Sequence, residues 1–181
     1  MKRLRGRFLP ALAFLTMFNC DEVKELADVN FQTTLTKTLP VNVVSTNEMT
    51  TSVTLDATSD PEIMKYANNI KGYEITKLRF AIENYQTSIP DEIYFDGSMG
   101  FGKKTGSQPT STCAINPLNV THWAGTGDFE IDACTNIIND ISEALASDNA
   151  VKIYLTGNFS KAPLLFDMKV TADVKVTANP L

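Results

Sequence analysis

Few side chains in this sequence have the types and spacing that chemistry requires. They include three cysteines, Cys20, Cys113 and Cys134, and a single histidine, His122. No two cysteines have the C-x-x-C spacing of a zinc-ligand pair or of a redox dithiol. We therefore expect no metal site, no redox centre and no cofactor.

Catalysis has little support from the remaining polar residues. No serine occupies a G-x-S-x-G elbow, and the segment GFGKKTG lacks the spacing of a phosphate-binding P-loop. With 21 acids in the chain, some carboxylates will lie close together by chance, so a glycosidase-like pair is weak support for an enzyme. We expect a protein that is not an enzyme and keep a carboxylate-based hydrolase as an alternative. Its candidate acids are Asp91, Glu92, Asp96, Asp128, Glu130 and Asp132.

The candidate ligand contacts are Trp123, which is the only tryptophan, and the neighbouring His122. Both lie in the segment NVTHWAGTG, which has the composition of a loop. An exposed tryptophan in such a loop can stack on a sugar ring or anchor a protein partner. The alternative is a tryptophan that packs in the core beneath one end of the domain. The acidic segment DFEID, residues 128–132, could hold Ca²⁺, but its spacing differs from that of an EF-hand loop.

Residues 1–19 have the layout of a secretory signal peptide. Four cations lie before residue 8, and the run FLPALAFLTMF that follows carries no charge. Such a run is typical of an export signal and is too short to span a bilayer. The alternative is a buried first helix of a cytosolic domain.

The boundary at Cys20 resembles the lipobox of bacterial lipoproteins. In that family the cysteine becomes the lipid-modified first residue of the mature chain. Met17 fills the aliphatic position, whereas Phe18 and Asn19 replace the small residues that are usual there. The resemblance implies lipid attachment at Cys20, a tether over residues 20–27, and a location on a bacterial envelope membrane, periplasmic or surface-facing. The alternative is an ordinary signal peptide with Cys20 as a spare thiol.

The net charge of the chain limits the classes of partner that it can bind. The first 19 residues carry four of the 16 Lys+Arg and none of the 21 Asp+Glu, so the rest of the chain has a net charge of −9. An acidic surface repels phosphate backbones and anionic lipid. We therefore expect no nucleic-acid partner, membrane attachment only through the covalent lipid, and an envelope protein or glycan as the partner.

If Cys20 is acylated, Cys113 and Cys134 remain as a pair. Two leftover cysteines in an oxidising compartment most often form a disulfide. A bridge that closes about twenty residues stabilises a fold by roughly 3 kcal/mol. The alternative is two separately buried thiols.

Alternation of polar and apolar residues predicts at least six strands. The longest pattern runs from Leu164 to Val176 and places seven apolar residues on one face. The segments 75–85 and 92–101 are expected to pair around the turn SIPDE, and residues 100–111 are expected to form a mobile loop. Two helices are predicted, one of about ten residues after the N-cap Asp60 and one through Ile137, Ile141 and Leu145.

Strands with one apolar face indicate an all-β, mainly antiparallel fold. We expect an immunoglobulin-like β-sandwich with two short helices over residues 28–181, with an up-and-down β-barrel as the alternative. Such a chain is similar to small envelope lipoproteins. We expect a non-enzymatic binding or structural module, and keep a lipocalin-like carrier of a small apolar ligand as an alternative.

Overall fold

The computed structural model describes residues 28–179. The predicted signal peptide, Cys20 and the tether therefore lie outside the described residues. Seven strands dominate the fold: β1 (Val29–Val43), β2 (Met49–Asp56), β3 (Ile70–Thr87), β4 (Tyr94–Lys103), β5 (Ser111–Asn119), β6 (Ala150–Phe159) and β7 (Leu164–Ala178). The helices are short: α1 (Pro61–Met64), α2 (Val120–Trp123), α3 (Asp132–Thr135) and α4 (Ile138–Asp148), with a 3₁₀ turn at Ala57–Ser59.

The strands form two antiparallel sheets, which confirms the predicted sandwich. Sheet A has the order β1-β7-β3, and sheet B has the order β2-β6-β4-β5. An immunoglobulin constant domain also packs four strands on three; here the first strand pairs with the last along its whole length. The described strands do not close into a single sheet, which was the alternative expectation.

Strand β7 lies at the centre of sheet A, as its regular alternation predicts. All seven apolar residues from Leu164 to Val176 are buried, and they pair across to β1 on one side and β3 on the other. Pro40, which cannot donate to a ladder, lies in β1 at the edge of the sheet.

Large apolar side chains fill the space between the sheets. Each fully buried phenylalanine removes about 150–250 Å² from water, so five of them supply much of the core. They are Phe80, Phe95, Phe101, Phe159 and Phe166.

The two ends of the sandwich can be distinguished by the chain termini. Val29 pairs with Ala178, so both described termini lie at one end, which we call the proximal end. Val43 pairs with Leu164 at the other end, which we call the distal end. Since β1 has 15 residues, the ends lie about 45 Å apart at the usual rise per residue of a strand. Three connections between the sheets lie at the distal end: residues 44–48, 88–93 and 160–163.

The helix predicted after Asp60 is much shorter than expected. Its start is as predicted, because the Asp60 carboxylate accepts hydrogen bonds from the backbone of Glu62 (2.8 Å) and Ile63 (3.0 Å). It ends at Met64, and Ile70 instead begins β3 and pairs with Ala178. The ladder with the long strand β7 overrides the helical spacing of the apolar residues.

The pairing expected across the turn SIPDE is wrong. Strand β3 pairs with β7 in sheet A, whereas β4 pairs with β5 and β6 in sheet B. The connection therefore crosses between the layers. Cross-strand ion pairs between β3 and β7, such as Lys169 with Glu83, accompany the pairing that forms instead.

Candidate binding surface

Trp123 does not project as an exposed loop residue. It ends α2, is half-buried, and stacks on Phe129 with 4.6 Å between ring centroids and 26° between the ring planes. His122 is exposed and meets the indole edge-on at 5.0 Å. Trp123 is therefore neither a fully exposed ligand contact nor a fully buried core residue. Its ring packs against the core cluster, whereas His122 faces solvent.

Local hydrogen bonds explain the position of α2. The Asn119 side chain accepts from the His122 N–H at 2.9 Å and so caps the helix. The Thr121 hydroxyl accepts from the Ile93 N–H at 3.0 Å and lies 3.1 Å from the Tyr85 hydroxyl. These contacts fix α2 against the distal end of sheet B.

After α2 the chain turns back along the free edge of β3. Gly125 and Gly127 have positive φ angles of 77° and 93°, which a glycine adopts without strain. The turn lets Phe129 exchange backbone hydrogen bonds with Phe80 (2.7 and 2.8 Å). The segment thereby covers part of an edge that would otherwise be open.

Close to His122, Glu92 and Tyr94 form a fixed pair at the distal end. The Tyr94 hydroxyl donates to Glu92 Oε2 at 2.5 Å. That hydrogen bond, with a second from Asn119, holds the pKa of the Glu92 carboxyl below its usual value, and His122 adds a smaller favourable charge. The same bond raises the pKa of the Tyr94 phenol. The pair therefore consists of a carboxylate and a protonated phenol at neutral pH, with the Tyr94 side chain 37% exposed.

Tyr94 begins a row of short polar residues on the outer face of sheet B. The ladder places Asp96 opposite Asn158 and Ser98 opposite Thr156. Their inward neighbours on β4 and β6 are buried apolar residues, so these side chains point away from the core. We call this surface the distal platform; its members are Tyr94, Asp96, Ser98, Ala114, Asn116, Asn119, Thr156 and Asn158.

The segment between β4 and β5 borders the platform. Pro109 packs so closely on Gly100 that a Cβ there would meet its ring at 2.6 Å. The Tyr154 hydroxyl donates to the Gly106 carbonyl at 2.7 Å, and Lys104 pairs with Asp56 at 2.9 Å. The connection is thus residues 104–110, docked on the proximal half of the face, rather than the free loop that its composition predicts.

The outer face of sheet A has a different character. Ion pairs link β3 to β7: Arg79 with Asp173 at 2.6 Å and Lys175 with Glu74 at 3.2 Å, in addition to Lys169 with Glu83. Exposed pairs of this kind contribute about 0–1 kcal/mol each. The face is strongly charged, whereas the distal platform is mostly neutral.

Several acids that were candidates for catalysis or for Ca²⁺ pair with cations. Asp128 contacts Arg79 at 3.4 Å, Glu130 contacts Lys77 at 2.7 Å, and Asp91 contacts Lys161 at 2.7 Å. Asp96 accepts from the Asn116 amide at 2.5 Å when that amide is oriented to satisfy its neighbours. Within residues 28–179, no group of three His, Cys, Asp or Glu could hold a metal ion.

Cys113 and Cys134 form a disulfide, as the cysteine count predicts. Their Cα atoms are 4.9 Å apart, and both residues are at most 3% exposed. The bridge joins β5, an edge strand of sheet B, to α3. It therefore fastens the helical segment between β5 and β6 to the sandwich.

The grooves found on the described residues are open to solvent. One of about 550 Å³ lies beside Tyr85 and Gly125, and one of about 390 Å³ lies beside Gln86 and Leu165 at the distal end. The sandwich interior is packed with phenylalanine and aliphatic side chains. None of these observations favours the carrier alternative.

No helix within residues 28–179 has the length and apolar character needed to cross a membrane.

Comparisons with known proteins show no family for this chain. No protein-family model matches the chain, and no curated protein matches it. Among solved structures, the chain is similar to one described as Desmodium yellow mottle tymovirus, at 8% sequence identity and a TM-score of 0.33. That alignment covers 98% of this chain and 93% of the other. A likeness at this level carries no argument about function.

Proposed function

We propose that this chain is a lipid-anchored protein of the bacterial envelope that acts as a non-enzymatic binding module. Cys20 carries the lipid, residues 20–27 form the tether, and the sandwich presents its distal end to an envelope protein or glycan. The sequence pattern around Cys20 supports the anchor, and the opposite positions of residue 28 and the exposed ring of Tyr94 support the binding surface.

The arrangement of the two ends is the observation that carries this proposal. Residue 28 lies at the proximal end, next to the tether. Within residues 28–179, three of the four exposed large hydrophobic residues lie at or near the distal end, about 45 Å away: Val44, Tyr94 and Leu165. Exposed apolar and aromatic groups at the end opposite an anchor are placed to meet a partner.

The anchor is tested by metabolic labelling with an alkyne fatty acid in a bacterial host. The full chain should incorporate the label, and Cys20→Ser should lose it. Cys113 and Cys134 serve as an internal control, because a disulfide leaves no thiol to acylate. An unlabelled wild-type chain would refute the lipid anchor, and the chain would then be a candidate for a secreted protein.

The binding end is tested by photocrosslinking in intact cells. A photoreactive phenylalanine analogue replaces Tyr94 in one variant and Met64 in a matched control. Both side chains are exposed, at 37% and 59%, but Met64 ends α1 at the proximal end. We expect defined crosslinks from position 94 and none from position 64. Crosslinks from position 64 alone would contradict the proposed orientation.

A further inference from the structure

We infer that the distal platform is a binding site for a neutral glycan chain. This inference rests on the proposed binding function and names the class of ligand. It combines the chemistry of the platform side chains, the hydrogen-bonded ring of Tyr94, the charge of the surface and its position on an open sheet face.

The platform side chains match the hydrogen-bonding needs of sugar hydroxyls. Each sugar hydroxyl both donates and accepts, and so do Ser and Thr hydroxyls and Asn amides. The platform presents Ser98, Thr156 and two exposed amides, Asn116 and Asn158. Asp96 is exposed beside them and adds acceptors only. A ligand rich in hydroxyls can satisfy this mixture, whereas an apolar ligand would leave it unpaired.

Tyr94 supplies the apolar contact that a sugar ring also needs. The C–H face of a pyranose packs on an aromatic ring, and tyrosine combines such a ring with a polar tip. Here the tip is already bonded to Glu92. A ring held in place before binding loses little conformational entropy when the ligand arrives.

Charge selects a neutral chain over an acidic one. Asp96 lies on the platform and Glu92 beside it, with His122 near Glu92, and two further acids, Glu130 and Asp132, line a groove together with Ala114 and Asn116. The mature chain would also carry a net charge of −9. A polyanionic glycan would be repelled by both.

The shape of the platform fits a chain of sugars. It crosses three adjacent strands, β6, β4 and β5, which is about 10 Å at the usual strand spacing. The docked segment 104–110 borders its proximal side, whereas Asp96, Asn116 and Asn158 on the distal half are exposed. An open sheet face of this width accommodates more than one ring of a chain and does not enclose a single sugar.

The experiment measures binding of neutral hexasaccharides to the full-length, detergent-solubilised protein by isothermal titration calorimetry. The probes are cellohexaose, maltohexaose, laminarihexaose and chitohexaose, with an alginate hexamer as the anionic counterpart. We expect at least one neutral probe to bind and the alginate not to bind. If no neutral probe binds at millimolar concentration, or if alginate binds more tightly, the inference is overturned.

Variants show whether binding occurs at the platform. Tyr94→Ala should weaken binding about tenfold, as expected when an aromatic contact is lost. Tyr94→Phe keeps the ring and should change affinity less than Tyr94→Ala does. Asn158→Arg places a long side chain across the exposed surface and should also weaken binding, which covers the case that Tyr94→Ala fails to fold. Met64→Ala, at the other end, should bind as the wild type does.

The outcome distinguishes this inference from the proposed function. If crosslinks form at position 94 but no hexasaccharide binds, the binding module stands and the glycan ligand is refuted. If hexasaccharides bind equally well to the wild type, Tyr94→Ala and Asn158→Arg, the platform is not the site.

Discussion

The disulfide between Cys113 and Cys134 gives a prediction whose magnitude follows from the chain. The two residues are 21 positions apart, and closing a loop of that length lowers the entropy of the unfolded chain enough to stabilise the fold by about 3 kcal/mol. Breaking the bridge should lower the melting temperature by roughly 6–12 °C in a domain of this size. The bridge fastens α3 to an edge strand, so part of the loss should be local loosening of residues 120–148.

A double-mutant cycle separates the bridge from the packing of the two buried sulfur atoms. In a Cys20→Ser background, Cys113→Ala, Cys134→Ala and the double variant are unfolded with urea. Each single variant loses the whole bridge and its own packing, whereas the double variant loses the bridge once. The two single losses should therefore add to about 3 kcal/mol more than the double loss.

The control for the cycle is the same set of variants refolded in reductant. No bridge exists under those conditions, so the coupling should fall close to zero. If the single losses already add to the double loss within about 0.5 kcal/mol under oxidising conditions, the bridge does not stabilise the fold and the reasoning is refuted.

Three further predictions concern the described residues. Gly157→Ala should lower the free energy of unfolding by about 1–3 kcal/mol, because its Cβ would collide with the backbone of β4; Gly72→Ala, with open space around it, should not lower it in urea unfolding. The pKa of Asp60 is lowered, since hydrogen bonds led by Thr33 outweigh the opposing effect of burial. The ionised Asp60 carboxylate therefore stabilises the fold above about pH 4, and this stabilisation is lost as the pH falls through the folded-state pKa. Between pH 6 and 3, the free energy of unfolding should depend less on pH in Asp60→Asn than in the wild type. Burial, with Asp56, raises the pKa of Tyr73 to about 12; stability should therefore fall as the pH rises from about 10 to 12, and Tyr73→Phe should lack this part of the fall.

The sequence predicts well those features that depend on the residues of a single segment or on the number of cysteines. Strand β7 is predicted because the alternation from Leu164 to Val176 has no helical interpretation. The disulfide follows from assigning one of three cysteines to another role. The start of α1 follows from Asp60 and Pro61, whose side chains act on their immediate neighbours.

The predictions that are wrong concern features that depend on contacts between residues far apart in the chain. Ile70 has helical spacing from Ile63, but its backbone pairs with Ala178, more than one hundred residues away. The segment 104–110 has the composition of a free loop, yet the absence of side chains at Gly100 and Gly102 lets it dock on the sheet. Neither contact leaves a signal in the local sequence.

The candidate site depends both on local patterns within single strands and on contacts between distant strands. Along each strand, alternation alone tells which residues face outward: many charged ones on β3 and β7, and on β4 and β6 mostly uncharged ones, with Asp96 and Lys152 as the charged exceptions. What it does not tell is which strands are neighbours. Because β3 joins β7 in one sheet and β4 joins β6 in the other, ion pairs concentrate on one outer face, and the opposite face carries a mostly neutral polar surface around Tyr94. Had β3 paired with β4, as their closeness in the chain suggests, each face would mix charged and uncharged residues, and no mostly neutral surface would surround Tyr94. The proposed binding surface is therefore a consequence of the strand order.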